Sequence, residues 1–589
     1  MAAKNDSNAV LLAWSEMVPA TEGQDPLGLN LRVSARLSAQ LLHCITSITP
    51  RARYFAFFPW CIADFERREK MERVDADFCD AVRLREKALS LGCILHHDGE
   101  TCEGGGVVGT KGAKKWFQSH SQESPKLSRL SFTKDLALNA YFSSMAHLGF
   151  FVVEGEVPEE IETEEEPKVE VDKLELKELG KRVAAVYEKA IGALPVVKKL
   201  SKDPDGCKPS ELKKWGEIGG LCELSDGAAP DRELLRDVFF NHVGSPGESH
   251  LFRHDSLTLL LELIRQLEPH SLELTTFLFN DATYLGAVRQ DVESPIIQIN
   301  WPKPLRDSAE RWRMFHFHYY CAVALESLFV GVVGQARSSG LKGFKLETLV
   351  ENLKGKSVAT FLEKKYGQKF KRAFLDSTPR QIFALAGVAS LDQEQDKSAE
   401  LIKIIDLTHP LCETNLDADF DGDIDRNTPE GMVCSLLMLI VAATRFTCYE
   451  KTDYAKWLAR AAEDPYKDVT VPIVLRELRQ QFGNYLDATW REIALFVTRR
   501  FVVRQHEVLA YDKNWDGSRA FFHTEQDHIR WRQLNYDEIG VNNSRFSRAL
   551  QILQDLGLVI HDEADKRLFK LTGDGKAQLK RELAGMEHK

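Results

Sequence analysis

No apolar run in these 589 residues reaches the roughly 18 that a membrane-spanning helix needs, and the richest, Met432 to Thr444, is too short, so no span is expected. Met1 to Gln24 carries acids and lacks the basic-then-apolar order of an export signal. A positive excess is missing too. Lys+Arg number 77 against 88 Asp+Glu, a formal charge of −11, which excludes a uniformly basic nucleic-acid coat and confines any such surface to a local patch. The eleven cysteines are odd in number and scattered through apparent core segments, such as Cys321 and Cys434, rather than set in a short secreted framework. Reduced thiols in a cytoplasmic protein are expected. Three catalytic signatures are also absent: an intact phosphate-binding loop, a nucleophile elbow, and the Pro-Asp…Asp/Glu-x-Lys nuclease set.

What is present is length and leucine. The chain far exceeds one hydrophobic core, and Leu-rich helical patterns outnumber β-branched runs, so a mainly α, multi-domain protein is expected. The patterns divide into an N-terminal helical domain (1–153), an acidic linker or insertion (154–178), a central helical domain (179–504) and a C-terminal α+β domain (505–589). The linker contains Glu159, Glu160, Glu162, Glu164, Glu165, Glu166 and Pro167, a run that cannot bury apolar area.

Arg51-Ala52-Arg53-Tyr54-Phe55-Ala56-Phe57-Phe58-Pro59-Trp60 sets two arginines beside a dense aromatic group. Such arginines could stack on bases or clamp phosphate; the plainer expectation is a buried helix with both arginines paired locally. This stretch, together with Arg545-Phe546-Ser547-Arg548-Ala549-Leu550 before Leu556-Gly557-Leu558-Val559, resembles large uncharacterised proteins of prokaryotic antiviral defence islands.

Cys93, His96, His97 and Cys102 offer zinc-ligand types, but the second half of a paired-ligand motif is missing from the neighbouring sequence. Gly104-Gly105-Gly106-Val107-Val108-Gly109 imitates a phosphate loop. Thr110-Lys111 then stands in the reverse of the required order, and a glycine-rich surface loop is the better account.

A long helix is expected from Arg306 to Val333, and within it Arg-x4-His occurs twice, at Arg311/His316 and Arg313/His318. The pattern resembles helical ribonucleases of the HEPN class, and the resemblance implies His316 near the cleaved bond and Arg311 on phosphate. On so aromatic a helix face, a core histidine is the structural alternative.

Between Asp417 and Asp425, five carboxylates stand on alternate residues. On an extended or tightly turned backbone they would share a centre, at a cost in repulsion unless a cation or a helix N-terminus balances them. Thr428-Pro429-Glu430 then opens a helix burying Val433, Leu436, Leu437 and Ile440, for which the acids would serve as caps. As a Ca2+ loop, Asp417, Asp419, Asp421 and Gly422 occupy the first, third, fifth and sixth positions, but Thr428 stands at the twelfth, where a bidentate glutamate belongs. His409-Pro410-Leu411 followed by Ala418-Asp419-Phe420-Asp421-Gly422-Asp423 also resembles the catalytic loop of the largest subunit of multisubunit RNA polymerases. That resemblance implies Asp419, Asp421 and Asp423 as Mg2+ ligands and a metal-dependent phosphodiester enzyme.

Near the C-terminus, Tyr536 to Ile539 and Arg545 to Leu556 read as two helices. Leu558-Val559-Ile560 and Leu568 to Leu571 read as a hairpin, and Gly573 to Leu583 as a closing helix. The order resembles a winged-helix domain. The resemblance implies Asn542, Asn543, Ser544, Arg545 and Arg548 in a DNA groove, with Lys566 and Arg567 at the wing tip. Residues 501–589 carry 14 Lys+Arg and 14 Asp+Glu, without the positive excess of a dedicated DNA-binding domain, so protein docking is the competing role. The expectation is a non-enzymatic subunit of a prokaryotic antiviral defence or genome-maintenance complex, which binds DNA and partner subunits such as an ATPase or nuclease. No cofactor is required beyond possible Mg2+ or Ca2+ at the aspartates.

Overall fold

The structure is a computed structural model that describes residues 25–587 apart from 73–77, 103–104, 121–122, 133–135, 153–173, 226–228, 245–246, 292, 368, 370–371, 389–404, 423, 463, 465–466, 514–519 and 533–544. The described chain is mainly helical, with four small antiparallel sheets of two or three strands. Most of the acidic linker, residues 154–173, lies outside the described residues, as does the expected helix Tyr536 to Ile539.

Two compact units run across the sequence order. One comprises the described residues of Met1–Val33 and Phe317–Val541, the other those of Ser34–His316 and Asn542–Lys589. The stretch 505–589 is therefore shared between them.

In the unit built on Ser34–His316, helix Tyr54–Glu72 packs on Glu178–Ile191, and helix Phe78–His96 packs on Pro209–Gly219. Apolar and aromatic side chains fill the space between the helices. Trp60 and Trp215 meet edge to face with ring centroids 5.7 Å apart, and Tyr187 closes on Trp60 at 5.7 Å. The second helix pair crosses at glycines, because a Cβ on Gly216 would stand 2.1 Å from the Gly92 carbonyl oxygen. Only hydrogen at both positions allows that backbone approach.

Both expected arginines are buried in this unit, Arg51 at 1% and Arg53 at 0% exposure. Arg53 makes a two-pronged pair with Asp231 at 3.0 Å on each arm and donates to the Gly220 carbonyl at 2.7 Å. Arg51 pairs with Asp555 at 2.9 Å, and the same carboxylate accepts from the Ala52 amide. Partners this distant in sequence replace the local pairing expected, since a buried guanidinium needs an opposite charge wherever the fold supplies one.

The C-terminal part of this unit contains helix Phe546–Asp555, a hairpin pairing Val559 with Leu571 and His561 with Phe569, and helix Gly573–Glu587. Helix Phe546–Asp555 is amphipathic, with Phe546, Ala549, Leu550, Ile552 and Leu553 buried. The Phe546 ring stacks on Phe279 at 4.8 Å.

The other unit is centred on helix Pro429–Phe446, buried along nearly its whole length. Pro429 occupies the first helical position, and Thr428 is the N-cap, its hydroxyl accepting from the Gly431 amide at 3.2 Å. By length and composition this helix and Lys303–Ser339 could each cross a membrane, but 89% of each apolar window is buried inside the protein. Both are core helices. A three-stranded sheet, Phe344–Lys345, His528–Trp531 and Phe522–Glu525, belongs to the same unit.

Candidate functional site

In the unit centred on Pro429–Phe446, helix Val471–Phe482 ends at Gly483, whose φ of +68° terminates it. Helix Trp490–Val497 begins with a capping box, Thr489 accepting from the Glu492 amide and Glu492 from the Thr489 amide. It runs into a π turn, Thr498–Val503, and then into helix Arg504–Lys513. Wide turns of this kind alter side-chain spacing and often mark functional sites. Here the result is an open groove of about 500 Å³ lined by Gln481, Phe482, Glu492, Leu495, Phe496, Arg499, Arg500 and Arg504.

Its chemistry is two-sided. Phe482 and Phe496 are half-buried and meet edge to face at 5.5 Å, leaving ring surface toward the groove. Arg499 is exposed and paired with Glu347 at 2.7 Å, a contact between solvated groups worth little and easily exchanged. Arg500 is held by Glu477 at 2.7 Å and lies over the Phe501 ring at 5.2 Å, which fixes its guanidinium. Exposed Arg504 has no ion pair among the described residues. Three guanidiniums therefore gather at a groove that also holds Glu492, two of them with carboxylate partners of their own and Arg504 without one among the described residues.

The sequence marks Arg499, Arg500 and Arg504 as the basic end of a helical stretch, and nothing more. The aromatic half comes from the end of helix Val471–Phe482 and from Phe496, brought to the arginines by packing.

Of the residues expected at a DNA-binding surface near the C-terminus, the described ones are placed less favourably. Asn542, Asn543 and Ser544 lie outside the described residues. Arg545 does not face solvent: it has a left-handed backbone at φ +52°, is 3% exposed, and donates to the Ile45 carbonyl at 3.1 Å. Arg548 is half-buried. Lys566 and Arg567 are exposed on the hairpin loop, Arg567 in a two-pronged contact with Asp565 that draws this carboxyl down to about 2.

The described aspartates have separate partners. An extended or tightly turned backbone was expected across Asp417 to Asp425, but Glu413–Gly422 is a helix, and alternate residues on a helix are rotated by about 200°. Asp417 is buried and accepts from the Tyr319 hydroxyl at 3.0 Å, while Asp419 pairs with Lys365. Asp425 makes a turn, accepting from the Asn427 amide at 2.9 Å, and capping falls to Thr428 instead. Asp423 and the side chain of Asp421 lie outside the described residues. Of the expected metal set only the Asp419 side chain is described, and it is engaged by Lys365, as its neighbour Asp417 is by Tyr319.

Arg311 and His316 do not form a ribonuclease pair. His316 is fully buried among Phe279, Trp312 and Phe315, and neither ring nitrogen has a hydrogen-bond partner among the described residues. Burial, with Arg313 nearby, pushes its pKa down to about 3, so the ring is neutral and closed to substrate. Arg311 lies over the Phe252 ring at 4.2 Å. The glycine loop is likewise tied inward, Arg51 donating to the Gly105 carbonyl at 2.8 Å and the Tyr54 hydroxyl accepting from the Val108 amide at 3.0 Å.

Comparison of the chain with protein-family profiles, with curated proteins and with solved structures finds no match.

Proposed function

We propose that this protein is a nucleic-acid- and partner-binding subunit, cytoplasmic, acting by binding rather than by its own chemistry. The observation that carries this reading is the groove in which Arg499, Arg500 and Arg504 stand beside the half-exposed rings of Phe482 and Phe496. Arginines supply phosphate contacts and aromatic faces supply base stacking, the pairing that single-stranded nucleic acid requires. With a formal charge of −11, any nucleic-acid surface is confined to a local cluster of arginines such as this one.

The setting in a prokaryotic antiviral defence or genome-maintenance complex rests on the resemblance of the 51–60 and 545–559 stretches. The C-terminal helix, hairpin and closing helix would form a winged helix. With helix Phe546–Asp555 buried on most of its surface, Lys566 and Arg567 on the hairpin are the groups that would meet a phosphate backbone or a partner subunit.

Fluorescence anisotropy with a labelled single strand and with a duplex, across a salt series, tests the groove. Arg499→Ala with Arg504→Ala should weaken single-strand binding at least tenfold and flatten the salt slope by about 1.4, the share of two phosphates. Phe496→Ala should cost about 1–3 kcal/mol of binding with the salt slope unchanged. Absence of binding by the wild-type chain at low salt, or unchanged affinity in the double variant, overturns the reading.

A further inference from the structure

The missing half of the Cys93–Cys102 pattern lies more than a hundred residues downstream. Helix Phe78–His96 ends in a turn in which Gly99, at φ +100°, donates to the Ile94 carbonyl at 2.9 Å, and the chain doubles back to Cys102. Helix Pro209–Gly219 ends beside it and passes into the 3-10 turn Leu221–Ser225, which carries Cys222 and Glu223. The Gly92–Gly216 crossing sets the two helix ends together.

Three soft or borderline donors converge there, His96, His97 and Cys222, with the Cys102 thiol beside Cys222. His97 Nε2 is 3.2 Å from Cys222 Sγ, and Cys102 Sγ is 3.5 Å from the same sulfur. Ligating atoms of His96, His97 and Cys222 all lie within 4.8 Å of one another. Two sulfurs at 3.5 Å are too far apart for a disulfide, whose bond is about 2.05 Å. The separation instead matches the edge of a tetrahedron built on metal–sulfur bonds of about 2.3 Å, which is about 3.7 Å. The His96 Nε2–H donates to Glu223 at 3.0 Å, which leaves Nδ1 with the lone pair and fixes the ring, as an outer carboxylate does for ligating histidines.

We propose that His96, His97, Cys102 and Cys222 hold one zinc ion in a closed, tetrahedral, structural site. Two thiolates and two imidazoles form the donor set that selects zinc over the harder Mg2+ and Ca2+. Two thiolates balance the ion's charge, so the loaded site adds no net charge near Arg51. The ion would pin the returning Cys102 loop, already held by Arg51 at Gly105, onto the crossed helices. The remaining thiol of the stretch, Cys93, is buried one turn earlier on the helix and is not needed for the four.

Metal analysis of the full chain, purified without chelator, should find one zinc ion per chain. Cys102→Ser with Cys222→Ser should lose it, while Cys448→Ser, whose thiol has no part in the cluster, should keep it. Since the double variant could fail to fold, wild-type protein is also stripped and titrated with Co2+. Saturation at one equivalent, with thiolate-to-cobalt charge-transfer bands and the visible bands of tetrahedral cobalt, supports the site. Zinc-free wild-type protein with no cobalt bands overturns it, and so does stoichiometric zinc retained by a folded double variant.

Discussion

The acidic helix Glu413–Gly422 and the cysteine–histidine cluster at the end of Phe78–His96 treat concentrated polar chemistry in opposite ways. In the helix, neighbouring like charges are turned away from one another by the helical pitch, and each described one has its own neutral or cationic partner, Tyr319 for Asp417 and Lys365 for Asp419. At the cluster, side chains 120 residues apart come within 3.5 Å with no opposite charge between the two thiols. Repulsion disperses groups that are charged before folding. Thiols and imidazoles are mostly neutral at pH 7 and collect at little cost until a cation ionises them. Like charges close in sequence are thus separated by the fold, while neutral donors far apart in sequence are brought together by it.

The largest expected effect concerns what holds the acidic helix in place. Glu413, at its first turn, is fully buried against Arg445 with both arms at 2.9 Å, and Arg445 also donates to the Ile405 carbonyl at 2.8 Å. Arg445→Ala leaves that carboxylate buried and uncompensated, and should lower stability by about 3–5 kcal/mol in denaturant titrations. A loss under 1 kcal/mol would mean that the pair does not anchor the helix.

An intermediate effect is expected at the crossing that assembles the cluster. Gly216→Ala places a methyl group 2.1 Å from a backbone oxygen that cannot yield without moving a helix. A cost of about 1–3 kcal/mol should accompany weaker zinc retention in the same preparation. Full zinc occupancy with undiminished stability would remove the glycine crossing from the account.

The smallest effect is reserved for the aspartates as a metal site. Asp421→Asn with Asp423→Asn should change stability by at most about 1 kcal/mol, and saturating Mg2+ or Ca2+ should leave the melting temperature of wild type and variant alike. A rise with either ion in the wild type, lost in the variant, would reverse the comparison.

Much of the fold could be read along the chain, because local rules suffice for it. Thr428-Pro429 opened a helix as a capping residue and proline should, and the run after it was buried as its apolar content required. The hairpin of Val559–His561 with Phe569–Leu571 also lay where alternation and turn residues put it. The acidic stretch misled because period-two spacing suggests an extended backbone only where no stronger context prevails. Glu413 locked to Arg445, with Leu416 and Phe420 buried, stabilises a helix there instead. The groove was half legible: its arginines fall within six residues, but nothing local ties Phe482 to Phe496.

The sequence by itself determined a mainly helical chain, its caps and turns, its buried aromatic helices and the kinds of side chain available for chemistry. These depend on hydrogen bonds and side-chain periodicity within a few residues. Only the tertiary structure decided which distant groups meet: Arg51 with Asp555, Arg53 with Asp231, Cys102 with Cys222, and the units that draw on both halves of the chain. Those pairings follow from close packing and from the need of every buried charge for a counter-charge, and both are satisfied globally rather than along the sequence.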